Sequence, residues 1–355
     1  FVLMCCAAVA GMVTGASAAI LLFWAITGSL IKELGYDPKD KLSAALALGV
    51  VWCGPIGMLM MPFQTTGVLN YSLFFAGTGG AITSYNYISY LAFGVVMGIV
   101  GIIVYMLFLR FVIRPDVSKF AEFKVSANAG KLEMDGKQKM ATYIFIALVV
   151  LLLVPSFFTG STNPVLAFIN KLGTTGSAAI MLAILAFVVY DGKPFVSMSR
   201  LIQRGVIWDL IFMLCAGLTI GGQLSSPATG ITAFVGNLFA PILSSVGGIG
   251  YLLIFMFITL VLTNCMNNVP VAAFLLPLQY GICMDVGMNP LVIIACFIFI
   301  VDFAVFLPSS SPVGAMLHGS GLVEKADIYK WCGPLLVIFT LVIVFIGYPF
   351  GLLVF

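Results

Sequence analysis

Thr263-Asn264-Cys265-Met266-Asn267-Asn268-Val269-Pro270 interrupts a long apolar run. Hydrophobic sequence lies on both sides, from Gly250 to Leu262 and from Val271 to Leu278. Hydrocarbon offers no partner to a freed amide or carbonyl, so the interruption has to be buried in protein or line a watery cavity. A second one, Pro308-Ser309-Ser310-Ser311-Pro312, follows about one helix later. Interruptions in neighbouring apolar segments are the sequence mark of membrane helices that break and meet near the bilayer midplane, as transporter helices do.

The composition sets the same frame. Hydrophobic residues make up 62% of the 355 and charged residues only 8%, against about a quarter charged in a soluble domain. The fold class read from this is an all-α polytopic membrane protein. The net charge of +3 is spread over short loops and forms no stripe that would suit nucleic acid. Eight cysteines form no CxxC pair, which reads as small buried hydrophobes, not a metal or disulfide framework. One histidine is too few for a His-cluster metal site. The chain opens on Phe1-Val2-Leu3-Met4, already inside an apolar segment, so further helices are expected upstream.

Apolar runs of membrane length give a map. Val2–Val13 and Ser17–Ile31 are two arms about a small-residue break, and Lys41–Met61 with Thr66–Ala76 is a broken helix. Ile88–Val112 is a span, and Arg114–Lys139 is a polar loop. Further spans are expected at Ala141–Pro155, Gly176–Tyr190 and Gly205–Gly222, with an interfacial segment at Ser225–Ser245. The arms Gly250–Leu262 and Val271–Cys283 come next. A broken helix, Pro290–Leu307 with Val313–Leu322, and a last span, Gly333–Phe355, complete the chain. Lysine and arginine test this map. Fifteen of the sixteen fall in Arg110–Lys139, Lys32–Lys41, Lys193–Arg204 and Lys325–Lys330. These lie on one side, taken as cytoplasmic, if each pair of arms is a re-entrant hairpin; only Lys171 lands opposite. Hairpin, broken helix and span then occur twice, in 1–112 and 250–355, from opposite sides. Between them lie a cytoplasmic linker, 113–140, and scaffold helices, 141–249. Such an inverted repeat places a substrate between two hairpin tips.

Individual residues carry alternatives. Asn264, Asn267 and Asn268 can grip a ligand or cap helix arms. Ser309, Ser310 and Ser311 can bind a ligand or satisfy backbone freed by the prolines. Asp302 is a carboxylate in an otherwise uncharged stretch, Phe297–Leu307. It reads as a proton-coupling group, as part of a cation site, or as half of a quiet structural pair. His318 reads as a satisfied interfacial histidine in preference to a proton relay, and Trp208-Asp209 as an interface anchor. No HExxH, paired intramembrane aspartates or GxSxG supports a membrane-embedded enzyme. Re-entrant loops suit a channel, but the inverted repeat with asymmetric breaks favours alternating access.

These residues resemble the divalent anion:sodium symporters of the ion-transporter superfamily. That family carries Ser-Asn-Thr at each hairpin tip and a Thr-Pro-Pro-like break in each following helix. Asn267-Asn268-Val269 is similar to the second tip motif, and Leu307-Pro308-Ser309-Ser310-Ser311-Pro312-Val313-Gly314, running on to Gly319-Ser320-Gly321, to the second break. The first repeat departs: Thr14-Gly15-Ala16 stands at the tip and Met61-Pro62-Phe63-Gln64 at the break. The resemblance implies substrate contacts at Asn267, Asn268, Val269, Thr14, Gly15, Ala16, Ser311 and Pro312. It implies cation contacts, built largely from carbonyls, around Asn268, Ser310, Gly314, Gly57 and Gln64, to which the residue reading adds Asp302. One asparagine of two and neither threonine remain, which points to an anion with one charged and one apolar end. The implied activity is secondary active transport of small organic anions, carboxylates, coupled to sodium, by alternating access in a homodimer in the plasma membrane. Proton coupling or cation-independent exchange through Asp302 is the alternative.

Overall fold

The computed structural model describes residues 1–37, 40–118, 163–190 and 227–355, together with scattered positions between 135 and 226; for most of 231–246 the backbone alone is described. The described elements are helical, apart from a two-residue antiparallel pairing of Val189–Tyr190 with Lys193–Pro194. Contacts divide the chain into two units, residues 1–85, 89–123 and 213–355 in one and 86–88 with 124–212 in the other. The smaller unit holds the helix Pro164–Phe187, whose N-cap Asn163 accepts from Val165 N. It starts twelve residues before the expected Gly176 span. The expected spans Ala141–Pro155 and Gly205–Gly222 lie largely outside the described residues.

The larger unit opens with α1 (Val2–Thr14) and α2 (Ala16–Glu33). The turn between them is Gly15, at φ 82° and ψ 165°, backbone that essentially only glycine adopts. Then come α3 (Lys41–Met60), α4 (Thr65–Gly77) and α5 (Tyr87–Phe108), the last ending in a π turn, Leu109–Ile113. The second half has α6 (Ile231–Cys265), kinked at Gly247 with φ 68°, and α7 (Asn268–Val286). It continues with α8 (Pro290–Val301), α9 (Pro312–Gly319) and α10 (Lys325–Val342). A π turn, Ile343–Gly347, leads into α11 (Tyr348–Val354). The order of two arms, interrupted helix and long helix therefore occurs twice. Among the described residues six helical segments are long and apolar enough to cross a membrane: Ala16–Glu33, Lys41–Met60, Tyr87–Ile113, Gly247–Cys265, Asn268–Val286 and Lys325–Val354. α1, with 13 residues, rises about 20 Å and falls short of a ~30 Å hydrocarbon layer.

Small residues set the close packing of the first half, as is usual between membrane helices. A methyl group on Gly57 would overlap the Ala8 carbonyl, and one on Gly11 would overlap that of Gly54, so α1 and α3 meet backbone to backbone. Gly77 of α4 lies equally close to the Pro277 carbonyl of α7, which joins the two halves. The centre of the core is α8, with every residue from Val292 to Val301 buried. The arms α6 and α7 are clasped by the buried Tyr251 hydroxyl, which donates to Gln279 Oε1. Cys53, Cys283, Cys296 and Cys332 are buried as expected, whereas Cys6, Cys215 and Cys265 are exposed.

The largest departure from the expected boundaries is in α8. The pattern carries the helix to Leu307, yet it ends at Val301, and Asp302 is its C-cap residue. Hydrophobicity persists through Phe303-Ala304-Val305 without helix because another side chain takes over their hydrogen bonds. The expected interfacial segment Ser225–Ser245 overlaps the start of α6, where the backbone from Ile231 is helical.

Candidate functional site

The three asparagines of the opening stretch have three different jobs. Asn264 is buried near the end of α6. Its Nδ2 donates to Leu260 O (2.9 Å) and to Phe303 O (3.2 Å), and its Oδ1 accepts from Val305 N (3.1 Å) and Phe306 N (2.9 Å). One amide thus uses its full donor and acceptor capacity to hold the unwound chain after α8. Asn267 is the N-cap of α7, accepting from Val269 N at 3.1 Å; the capping reading describes it. Asn268 turns toward the break. Its Nδ2 donates to Asp302 Oδ1 (3.1 Å), and its Oδ1 accepts from Thr263 Oγ1 (3.1 Å). Val269 is half-buried and packs against the core.

The serines at the other end of the break gather oxygens. Ser310, fully buried, lies 2.9 Å from Ala304 O and 2.6 Å from Leu307 O. Ser311 donates to Ala304 O and accepts from Gly314 N at 2.9 Å, capping α9 at whose first position Pro312 stands exposed. A methyl group on Gly314 would sit 2.8 Å from Leu307 O, 3.0 Å from Ser310 Oγ and 3.1 Å from Ala304 O, so only glycine leaves that cluster room. His318 Nε2 lies 3.0 Å from Phe306 O, a satisfied histidine at the same unwound segment.

The first half offers less side-chain chemistry. Thr14 is exposed and donates back to Ala10 O of its own helix (2.9 Å), Gly15 is half-buried, and Ala16 is buried. Gln64 Nε2 donates to Met12 O at 2.8 Å, tying the first break to the first tip. Carbonyls freed at the end of α3 are taken by aromatic hydroxyls: Tyr90 Oη donates to Leu59 O (3.1 Å) and Tyr85 Oη to Pro62 O (2.6 Å). Gly57 lies inside α3, away from the break, and its place against Ala8 is one of packing.

The structure therefore brings Asn268 and Asp302 into direct contact and gathers Ser310, Ser311 and Gly314 around Ala304 O. It joins Gln64 to the first tip and leaves Thr14 with its own helix. Asp302 is 8% exposed, and among the described residues no basic side chain is among its electrostatic neighbours. The quiet-pair reading therefore finds no lysine or arginine partner there. Its neighbours are Asn268, the Thr66 side chain of α4, and Tyr90. Sequence reasoning missed Thr66, Thr263, Tyr85 and Tyr90. Thr263 was visible as a polar residue in the opening stretch; the others carry no local signal, because their partners lie far from them in sequence, Pro62 and Leu59 for the tyrosines and Asp302 for Thr66.

Comparison with known proteins gives the family. The family model described as "Sodium:sulfate symporter transmembrane region" matches residues 2–355. An uncharacterized transporter of Synechocystis sp. is 27% identical over 49% of this chain and 27% of its own length. Solute carrier family 13 member 2 of Mus musculus is 24% identical over 60% of this chain and 39% of its own length. The sodium-dependent dicarboxylate transporter SdcS of Staphylococcus aureus is 23% identical over 94% of this chain and 66% of its own length. The first relatives are thus matched over less than half of their length. With a match over nearly all of its residues, this multi-pass membrane protein belongs to the sodium:sulfate symporter family, a family of transporters and not of enzymes, which includes the divalent anion:sodium symporters that its tips and breaks resemble.

Proposed function

We propose that the whole protein is a secondary active transporter of small organic anions, carboxylates, driven by sodium as the coupling ion. The observation that carries this reading is the pairing of each two-arm turn with an interrupted helix, knit by Gln64 to Met12 O in one half and by Asn268 to Asp302 in the other. Half-helix N-termini carry partial positive charge and attract anions, while unwound carbonyls suit hard cations. α2, α4, α7 and α9 each begin at a tip or a break, and the segment after α8 is rich in carbonyl oxygens.

In this reading the two-arm units are re-entrant hairpins in an inverted repeat. The anion lies between their tips, against Asn267, Asn268, Val269, Ser311 and Pro312 on one side and the Thr14-Gly15-Ala16 turn on the other. The second tip supplies side-chain amides and the first supplies backbone, which suits an anion with one charged and one apolar end. The hairpin-bearing part moves to give alternating access, within a homodimer in the plasma membrane, with Arg110–Lys139 cytoplasmic. The relative from Staphylococcus aureus is named as a sodium-dependent dicarboxylate transporter, which supports a carboxylate. A second reading, proton coupling or cation-independent exchange, is favoured by one observation: a buried carboxylate, Asp302, with no basic neighbour among the described residues.

Uptake of radiolabelled mono- and dicarboxylates into proteoliposomes tests these readings, under a sodium gradient, a proton gradient or neither. The sodium reading expects uptake under the sodium gradient alone. Uptake under the proton gradient only, or equal exchange in all three, would replace it with the second reading.

A further inference from the structure

The larger unit holds a cavity of about 250 Å³ that no residue of either break lines. α2 walls it from Trp24 to Lys32, α3 adds Ser43 and Ala47, and Leu322 closes it from the segment after α9. The uncharged polar groups of these walls are already engaged. Trp24 Nε1 donates to Ala47 O (3.0 Å), Thr27 Oγ1 to Phe23 O (2.6 Å) and Ser43 Oγ to Asp37 O (2.7 Å). What remains is apolar surface with one charged side chain, Lys32, in the last turn of α2. Among the described residues no acidic side chain lines the cavity.

Gly28 keeps this space open. A methyl group on Gly28 would meet no atom within 4 Å, so no close helix packing calls for glycine there, unlike at Gly11 and Gly57. Glycine inside a helix is less stable than alanine, and what it leaves here is room.

We propose that the cavity binds one acyl chain of an anionic phospholipid, with the lipid phosphate held by the Lys32 ammonium. Size is the first argument. The volume falls below the ~300–1,000 Å³ of pockets that enclose a drug-sized ligand, so it takes a part of a larger molecule. Shape is the second: Trp24 and Lys32 stand eight residues apart on α2, about 12 Å along its axis, and the charge is at one end. A chain lying along α2 therefore has its head at Lys32. Position is the third. Lys32–Lys41 is one of the basic segments that the charge rule sets on the cytoplasmic surface, where anionic lipids attract lysine and arginine.

Other occupants explain less. Water needs two to four polar partners, and the polar groups of the walls are spent on backbone carbonyls. A small hydrophilic anion would find Lys32 alone and leave the apolar walls unfilled. A lysine in the last turn of a helix also offsets the helix dipole, which accounts for the charge but not for the space beside it. The walls come from the second arm and broken helix of the first half and from the exit of α9 in the second. A chain seated among them braces the two halves at the end where Lys32 lies.

The test measures thermal unfolding of the full-length protein in an uncharged detergent, with native mass spectrometry to count bound lipid. The probes are phosphatidylglycerol, phosphatidylcholine with the same chains, and glycerol 3-phosphate, which carries the phosphate without a chain. Phosphatidylglycerol is expected to stabilise wild type, since a ligand bound only by the folded state raises stability, and glycerol 3-phosphate is expected to do nothing. In Lys32→Gln the phosphatidylglycerol concentration for half of the effect rises about fivefold, toward that of phosphatidylcholine. Gly28→Phe, which puts a ring into the space, loses the response and binds one lipid fewer. Leu322→Trp fills the cavity from a different wall and does the same, so the test stands even if one variant fails to fold.

Equal stabilisation of wild type by the two lipids would mean ordinary contact with the bilayer and overturn the site. A response to glycerol 3-phosphate matching that to phosphatidylglycerol would mean a site for a free anion and overturn the acyl chain. An unaltered phosphatidylglycerol response in folded Gly28→Phe or Leu322→Trp would overturn the cavity as the place of binding.

Discussion

The two helix breaks of this chain have the same place in the fold and opposite chemistry. The first, Met61–Gln64, is short, and its freed carbonyls are met by Tyr85 and Tyr90 from the sequence that follows it. The second, Asp302–Ser311, is longer and is met by Asn264, Ser310, Ser311 and His318, with Asn268 on its carboxylate. An aromatic hydroxyl can close one carbonyl and then fill space with its ring. An amide can hold both donors and acceptors of an unwound chain, so it keeps a longer stretch open. The difference teaches that the first break is braced by ring hydroxyls and the second by amide and hydroxyl side chains. The same contrast appears at the tips, where Thr14 bonds its own helix and Asn268 reaches across to Asp302.

The contrast is broken most severely at Asn264. Asn264→Ala leaves Val305 N, Phe306 N and Phe303 O without their partner, at about 1–3 kcal/mol for each orphaned group. The expected result is a loss of about 3 kcal/mol or more in thermal unfolding of the purified protein, together with loss of uptake. A variant as stable as wild type would show that the second break holds itself open. Gly57→Ala comes next. It sets a methyl group against the Ala8 carbonyl where α1 meets α3, and overpacking of this kind costs about 1–3 kcal/mol. Here stability should fall without a change in the sodium dependence of whatever uptake remains; a changed sodium affinity would return Gly57 to the cation site.

A smaller effect is expected at Tyr90→Phe, which removes the donor to Leu59 O and keeps the ring. A loss of about 1 kcal/mol would sharpen the picture of aromatic bracing. A loss below about 0.5 kcal/mol would show that the first break does not need its hydroxyls. The smallest is Thr14→Val: an exposed threonine bonded to Ala10 O of its own helix and to the adjoining Gly15 O should change stability by no more than about 0.5 kcal/mol.

Much of the helical layout was legible in the sequence. The arms about Gly15 and the halves of the first broken helix fall within about two residues of their expected ends, because polar and small residues punctuate apolar runs there. Asp302 stood out because a carboxylate in hydrocarbon is expensive. Its position at the end of α8 was not legible. Phe303-Ala304-Val305 continues the apolar pattern, and the side chain that competes for its backbone, Asn264, lies far upstream. The bracing tyrosines were equally hidden, since an aromatic residue near a helix start reads as an interface anchor and its hydroxyl's target is set only by packing. Thr66 became visible as a neighbour of Asp302 only once the two halves stood side by side.

The most direct test of a second half that recognises the anion by side chains, and a first half that does so by backbone, is paired uptake. Sodium-gradient uptake of a radiolabelled carboxylate into proteoliposomes should fall by about tenfold or more in Asn268→Ala and stay near wild type in Thr14→Val. Equal loss in both variants, or loss in Thr14→Val alone, would contradict that division of labour.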